Sequence, residues 1–391
     1  MFSSRFPRDF QHNQLTRTIS GLRRAETAIL DLTASNPTQA AFRYPPEVVR
    51  AFDDERLLVY EPTPAGPPEA RAAICAYYLS RGTKVDPERV LLTASTSEAY
   101  AYLFKLLADP GDRILVPRPS YPLFECLAAM ESVELHSYPL SYLGGWAIDL
   151  DALAATITDR TRALIVVNPN NPTGNFLKRA ELEALVRLCA GREIALISDE
   201  VFSDYGFEAD PQRVTTLANV ENCLAFSMSG LSKIAGLPQM KLGWIIAAGP
   251  AALRAPALER LEWIADAYLS VSTPVQHAAA RLLAAGEAVQ QQIRERTRAN
   301  LQFAHRLLAG LTANPLAVEG GWYLPLQVPR TRSEEQWALD LLTQCHVLVQ
   351  PGFFYDFEKE AFLVVSLLAE PAVFEEGLIR LARFLTHASV Q

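Results

Sequence analysis

From Val90 onward the chain alternates short apolar runs with longer amphipathic ones, and this alternation limits its fold more than any other feature. RVLLTAS, RILVPRP, VELHSYPL, RALIVVNP, IALISDEV, CLAFSMSG and KLGWIIAA read as strands. SEAYAYLFKLLA, YPLFECLAAM and AELEALVRLCA read as the helices between them. Short apolar strands separated by helices of about ten residues predict an α/β architecture, a mainly parallel sheet covered on both faces by helices. Residues 250 to 310 read as helix, and the chain after them mixes strand and helix, which predicts a second, smaller α+β domain. The expected division is an N-terminal arm with part of the small domain over 1–45, a large domain over 46–285 and the C-terminal small domain over 286–391.

On parallel sheets ligands sit beyond the carboxyl ends of the strands. The unusual residues of this chain follow the strands: TAST, RPSY, NPNNPTG, SDE and SGLSK each stand after an apolar run. The fold would therefore gather them along one edge. Bulk composition narrows what that edge can bind. A formal net charge of -8 argues against nucleic acid or an anionic membrane as the main partner. The five cysteines, at 75, 126, 189, 223 and 345, include no C-x-x-C pair, so neither a zinc site nor a redox pair is expected. A reducing, cytoplasmic setting is expected. The N-terminal MFSSRFPRDF has no apolar core of a signal peptide, and no apolar run reaches membrane-spanning length.

Four motifs carry chemistry. Lys233 stands in SGLSKIAGLPQ among small and apolar residues, where poor solvation would disfavour its charged form and leave a nucleophilic amine; taken alone, it reads more readily as a surface lysine, and the neighbouring motifs reverse that. Asp199 and Glu200 end the strand IALIS, where a carboxylate can face a ligand or cap the next segment. The turn from Asn168 to Gly174, with two Asn-Pro steps and a glycine, is rigid and can present Asn171 to a ligand oxygen. Ser95, Thr96 and Ser97 lie between a strand and a helix, where hydroxyls and free N–H groups suit an anion such as phosphate or simply cap the helix.

Taken together, NPNNPTG, SDEV and SGLSKIAGLPQMKLGW resemble the class I/II aminotransferases, the aspartate-aminotransferase-like enzymes of fold type I that use pyridoxal 5'-phosphate. The likeness runs from about Asn36 to Ser366. It implies that Lys233 carries the cofactor as a Schiff base and acts as the acid–base group. It also implies that Asp199 pairs with the pyridine nitrogen, holding the ring electron-poor. By the same likeness Asn171 contacts the phenolic oxygen, Ser95, Thr96 and Ser97 cradle the phosphate, and Tyr121 of PSYP stacks on the ring. Tyr60 of VYEPTPAG matches a tyrosine that reaches the phosphate of the neighbouring subunit, which implies a homodimer.

Three positions depart from the family pattern. Phe202 stands where a tyrosine usually follows the aspartate, a loss that Tyr205 or a water would have to make good. Lys241 replaces a phosphate-binding arginine, keeping charge but losing the bidentate fork. Val364, in FLVVSLL, stands where the substrate-carboxylate arginine of an Arg-x-Ser strand would be. The carboxylate would then fall to Asn36 in the SNPT loop, to Asn171, or to a basic residue such as Lys359, Arg330 or Arg332. Phe353, Phe354, Tyr355 and Phe357 suggest an aromatic lining or a piece of core. The expected function is a transaminase moving an amino group from an amino-acid-like donor to a keto acid, with non-standard carboxylate anchoring. The alternatives are a β-lyase, decarboxylase or racemase on the same fold, or a non-catalytic protein that binds the cofactor.

Overall fold

The computed structural model describes residues 3, 5–6, 13–359 and 361–388, with the side chains of 387 and 388 left undescribed. Its centre is an eight-stranded sheet in the order 90–93, 243–248, 225–230, 195–199, 161–167, 113–118, 134–142 and 146–148. The five strands from 225–230 to 134–142 pair in parallel. Strand 243–248 runs antiparallel to both of its neighbours, and 146–148 folds back on 134–142. The sheet is thus mainly parallel, as the alternation of elements requires, with one reversed strand inside it. That reversal follows from connection length. The link between 225–230 and 243–248 is twelve residues, 231–242, and holds only a four-residue helix, Leu231–Ile234, and the short turn Pro238–Met240, too little to make the crossover helix that a parallel return ordinarily uses.

The inner strands are almost entirely buried, AFSMSG at 225–230 and GWIIAA at 243–248 along their whole length, because helices cover both faces. One face packs Leu91, Tyr102, Phe104, Ile165, Ile197, Phe226 and Leu261. The helices include Thr96–Leu107, Arg179–Ala190 and Ala251–Tyr268.

The smaller domain is built on an antiparallel sheet in the order 314–315, 323–327, 362–366 and 350–351, with its own apolar core around Leu324, Trp337, Leu342, Leu363, Phe374 and Leu381. Leu30 and Asp31 pair in parallel with Val347 and Leu348, so the N-terminal segment crosses over to this part of the molecule. Helix Thr273–Leu308, 36 residues long, runs between the two bodies. Among the described residues no helix is long and apolar enough to cross a membrane.

Candidate active site

The strands of the large sheet stop nearly level. Val167 pairs with Asp199 and Asp199 with Met228, while Gly230 and Thr93 both pair with Gly243. The chain past each stop meets at one edge. Two glycines permit the close approach there. A Cβ on Gly230 would lie 2.9 Å from Leu242 O, and one on Gly243 would lie 3.1 Å from Ser229 O and from the carbonyl carbon of Ser95. The segments 94–97 and 229–233 are thereby drawn together around a cavity of ≈ 770 Å³.

Lys233, Asp199, Asn171, Tyr121, Ser95, Thr96 and Ser97 all line this cavity. Asp199 accepts hydrogen bonds from the Tyr100 hydroxyl at 3.0 Å and the Val201 N–H at 3.2 Å. Burial still pushes its carboxyl up to about 6, against the pull of those bonds and of Lys233. Burial likewise lowers the Lys233 amine from 10.5 to about 8, with Asp199 opposing. The amine stands 4.8 Å from the Trp322 ring centre and 5.6 Å from that of Phe202.

The asparagines of the 168–174 turn divide their work. Asn168 donates to Val214 O and accepts from Leu177 N–H. Asn170 donates to Pro119 O and to the Thr173 hydroxyl. Asn171 is different: its Oδ1 is buried and has no partner. A buried acceptor left open costs stability unless something occupies the site. Ser95 accepts from the Glu98 N–H at 3.2 Å, and Glu98 accepts from the Ala94 N–H at 2.6 Å, so the serine caps helix 96–107 as well as lining the cavity.

Other expected residues stand elsewhere. Asn36 does not line the cavity; its Oδ1 accepts from the N–H and hydroxyl of Thr38, capping the short helix Pro37–Gln39. Its neighbour Ser35 is on the wall instead. Lys241 is exposed, with a left-handed backbone, and does not line the cavity. Tyr60 is 67% exposed and lies outside the cavity. The Tyr205 hydroxyl is committed to the main-chain oxygen of Lys233 at 2.5 Å, so it does not stand in for the missing hydroxyl at Phe202. Val364 is fully buried and does not reach the wall. Arg330 and Lys359 are exposed, and Arg332 pairs with Asp340. None of the three lines the cavity. Phe353, Phe354 and Tyr355 do, whereas Phe357 packs against Phe362 and Trp146 in the core.

Sequence reasoning missed Ser232, Tyr100, Tyr323 and Gln350, all on the wall, and Trp322 beside the amine. Ser232 adjoins Lys233, and Tyr100 lies about one helical turn beyond Ser97, so both were within reach of a closer reading. Nothing local marked the other three.

The model of the family "Aminotransferase class I and II" matches residues 27–375. The chain belongs to that family. The glutamate-pyruvate aminotransferase AlaA of Escherichia coli is 28% identical over 377 residues, covering 92% of this chain and 90% of the relative. The arginine–pyruvate transaminase AruH of Pseudomonas aeruginosa is 30% identical over 295 residues, covering 74% and 73%. An alanine aminotransferase structure from Pyrococcus furiosus shares the fold, with a TM-score of 0.89 at 24% identity over 99% of this chain and all of that one. This class I/II aminotransferase is a pyridoxal-phosphate-dependent enzyme that moves an amino group from an amino donor to a keto acid. The lyase, racemase and decarboxylase readings are not favoured.

Proposed function

We propose that Lys233 is the catalytic residue of this transaminase and that Asp199, Asn171, Tyr121, Ser95, Thr96 and Ser97 hold the cofactor. The observation that carries this reading is the meeting of a buried amine, a buried carboxylate and an unpartnered Asn171 oxygen on one cavity wall. That set fits pyridoxal phosphate: an amine for its aldehyde, a carboxylate for its ring nitrogen, a side-chain amide for its phenolic oxygen and a helix N-terminus for its phosphate. Bound there, the cofactor would supply a covalent anchor for amines and an electron-withdrawing ring. The protein's part is to keep Lys233 partly neutral near pH 8, so that the Nζ atom can take up and return a proton. Tyr100 and the Val201 N–H orient Asp199 and favour its charged form. Tyr121, 44% exposed, lines the same cavity and would stack on the ring.

Lys241 has no supporting contact with the cavity in one chain, and we assign the phosphate cradle to the neutral 95–97 segment with Ser232. The reading extends to a homodimer in which Tyr60 serves the partner's site. Its support is a consecutive exposed apolar run, Leu58, Val59 and Tyr60, at 89%, 53% and 67%. The β-pairing of residues 30–31 with 347–348 supports grouping 1–45 with 286–391 as the small domain and 46–285 as the large one. Five unbridged cysteines support a cytoplasmic setting. The test is Lys233→Ala. It is expected to abolish turnover and the borohydride-reducible attachment of cofactor to protein, and a variant that keeps that attachment would overturn the assignment.

A further inference from the structure

The cavity wall lacks the cation that a donor's carboxylate would ordinarily meet. Among the described residues lining it, Lys233 is the one cation, while Glu125, Asp199 and Asp356 are acids. Asp356 is held by Arg118 at 3.0 Å, which spends that arginine outside the wall. At the position where the family's arginine would emerge, Val364 lies flat in the small-domain sheet between Pro325 and Gln350. The valine is too short to reach the cavity, but its cross-strand neighbour Gln350 is on the wall.

Gln350 is held in place. The Tyr355 hydroxyl donates to its Oε1, and no described residue accepts from its Nε2. The Tyr355 ring lies 6.2 Å from that of Tyr323, which pairs across the sheet with Ser366, two residues along from Val364. Ser35 and Tyr323 both stand on the same cavity wall. A neutral amide and two hydroxyl-bearing neighbours therefore occupy the stretch of wall where a guanidinium would be expected.

Resting on the active-site assignment above, we propose that Gln350, oriented by Tyr355, is the specificity-determining residue that holds the donor's head group, and that it accepts a carboxylate or a neutral carboxamide with little distinction. The argument is one of competing terms. A carboxylate makes the stronger hydrogen bond to an amide N–H. It also loses more hydration on entering, and apart from Lys233, which the cofactor engages, no described cation on this wall restores that loss. A carboxamide makes weaker bonds and loses less. An arginine clamp breaks this balance in favour of the anion; glutamine leaves it nearly level. The chemical step is that of the established reaction and is unchanged.

The test compares L-phenylalanine, L-alanine and L-arginine, each with its own carboxamide, as donors to the holoenzyme. Cofactor absorbance in single half-reactions gives kcat/KM for each. A ratio of acid to amide between one-tenth and tenfold for the best pair supports the proposal, and a ratio outside that range in either direction overturns it. A readout free of chemistry is calorimetric binding of 3-phenylpropanoate and 3-phenylpropanamide, with affinities expected within tenfold of each other. Gln350→Arg is expected to raise the acid-to-amide ratio at least tenfold, a change that general loosening of the sheet would not produce. The wild-type comparison stands even where that variant misfolds. If cofactor is not reducibly trapped on Lys233, the active-site assignment itself fails. If it is trapped and no donor of the six reacts, the head-group proposal alone falls.

Discussion

Replacing Lys233 by methionine should stabilise the cofactor-free protein at neutral pH. Methionine matches the length of the lysine stem and carries no charge. The folded chain holds the amine at about 8, against an ordinary 10.5, because burial disfavours the ammonium. That difference is worth about 3 kcal/mol. The Trp322 ring centre, 4.8 Å from the amine, attracts the cation by about 1 kcal/mol, which leaves a net cost of about 2 kcal/mol at pH 7. Burial therefore outweighs the aromatic contact. Below about pH 8 the amine is protonated in folded and unfolded chains alike, and the cost is fully present. As pH rises from there toward 10.5 the unfolded chain keeps its proton while the folded chain releases it, so wild-type stability climbs and the gap narrows to about 1 kcal/mol by pH 9.5. Urea unfolding of both cofactor-free proteins, followed by tryptophan fluorescence at pH 7 and 9.5, measures the two gaps. A methionine variant less stable than wild type at pH 7, or a gap that does not change with pH, would refute the buried-amine argument.

Three further outcomes follow from the same geometry. Tyr100→Phe removes the hydroxyl that donates to Asp199 at 3.0 Å; a bond of about 1.5–3 kcal/mol to a carboxylate is lost. Cofactor affinity should drop at least tenfold at pH 7 and recover in part at pH 8.5, measured by fluorescence titration. Gly243→Ala forces a methyl to within 3.1 Å of three atoms around Ser95 and Ser229. It should cost about 1–3 kcal/mol by thermal unfolding and weaken cofactor binding more than tenfold, and a variant of wild-type affinity would mean the cradle is looser than the packing implies. Phe202→Tyr adds a hydroxyl to a ring on the cavity wall; the pH midpoint of the holoenzyme's visible band should fall by about one unit, and an unchanged midpoint would show that this ring does not face the cofactor.

Much of the site was legible because its residues sit in local signals. Asp199 ends a strand and Ser95, Asn171 and Lys233 each stand within four residues beyond one, and a mainly parallel sheet carries such positions to a common edge. Val364 was legible for the same reason, as a departure at a recognisable place. What replaces it was not. Gln350 lies on a two-residue strand, 350–351, whose position depends on pairing with 362–366 across the small-domain sheet, and Trp322 and Tyr323 arrive from the strand on the other side. No periodicity marks a single half-buried amide as facing a cavity made by another domain. Asn36 misled for the converse reason: an asparagine before proline-threonine is a good helix cap, and the local bond to Thr38 took its side chain. Lys241 shows that matching a charged position by spacing does not fix where its side chain goes.

The adjacent acids Asp199 and Glu200 show how the sheet assigns function. Both are buried, and burial raises both carboxyls, to about 6 and about 7. Composition and depth therefore do not separate them. Strand alternation does, since successive side chains leave a strand on opposite faces. Asp199 ends strand 195–199 on the cavity side, with Tyr100 and Lys233 about it. Glu200 turns the other way and accepts from the Leu217 N–H at 2.8 Å, while its Oε2 is buried without a partner. One acid has a titrating partner and an open cavity; the other has one fixed backbone donor. Against ordinary values of 3.8 and 10.5, burial brings Asp199 and Lys233 to about 6 and about 8. The charged pair is thus held close to the pH at which either member can change state, which the role proposed for Lys233 requires and which Glu200, lacking such a partner, does not offer.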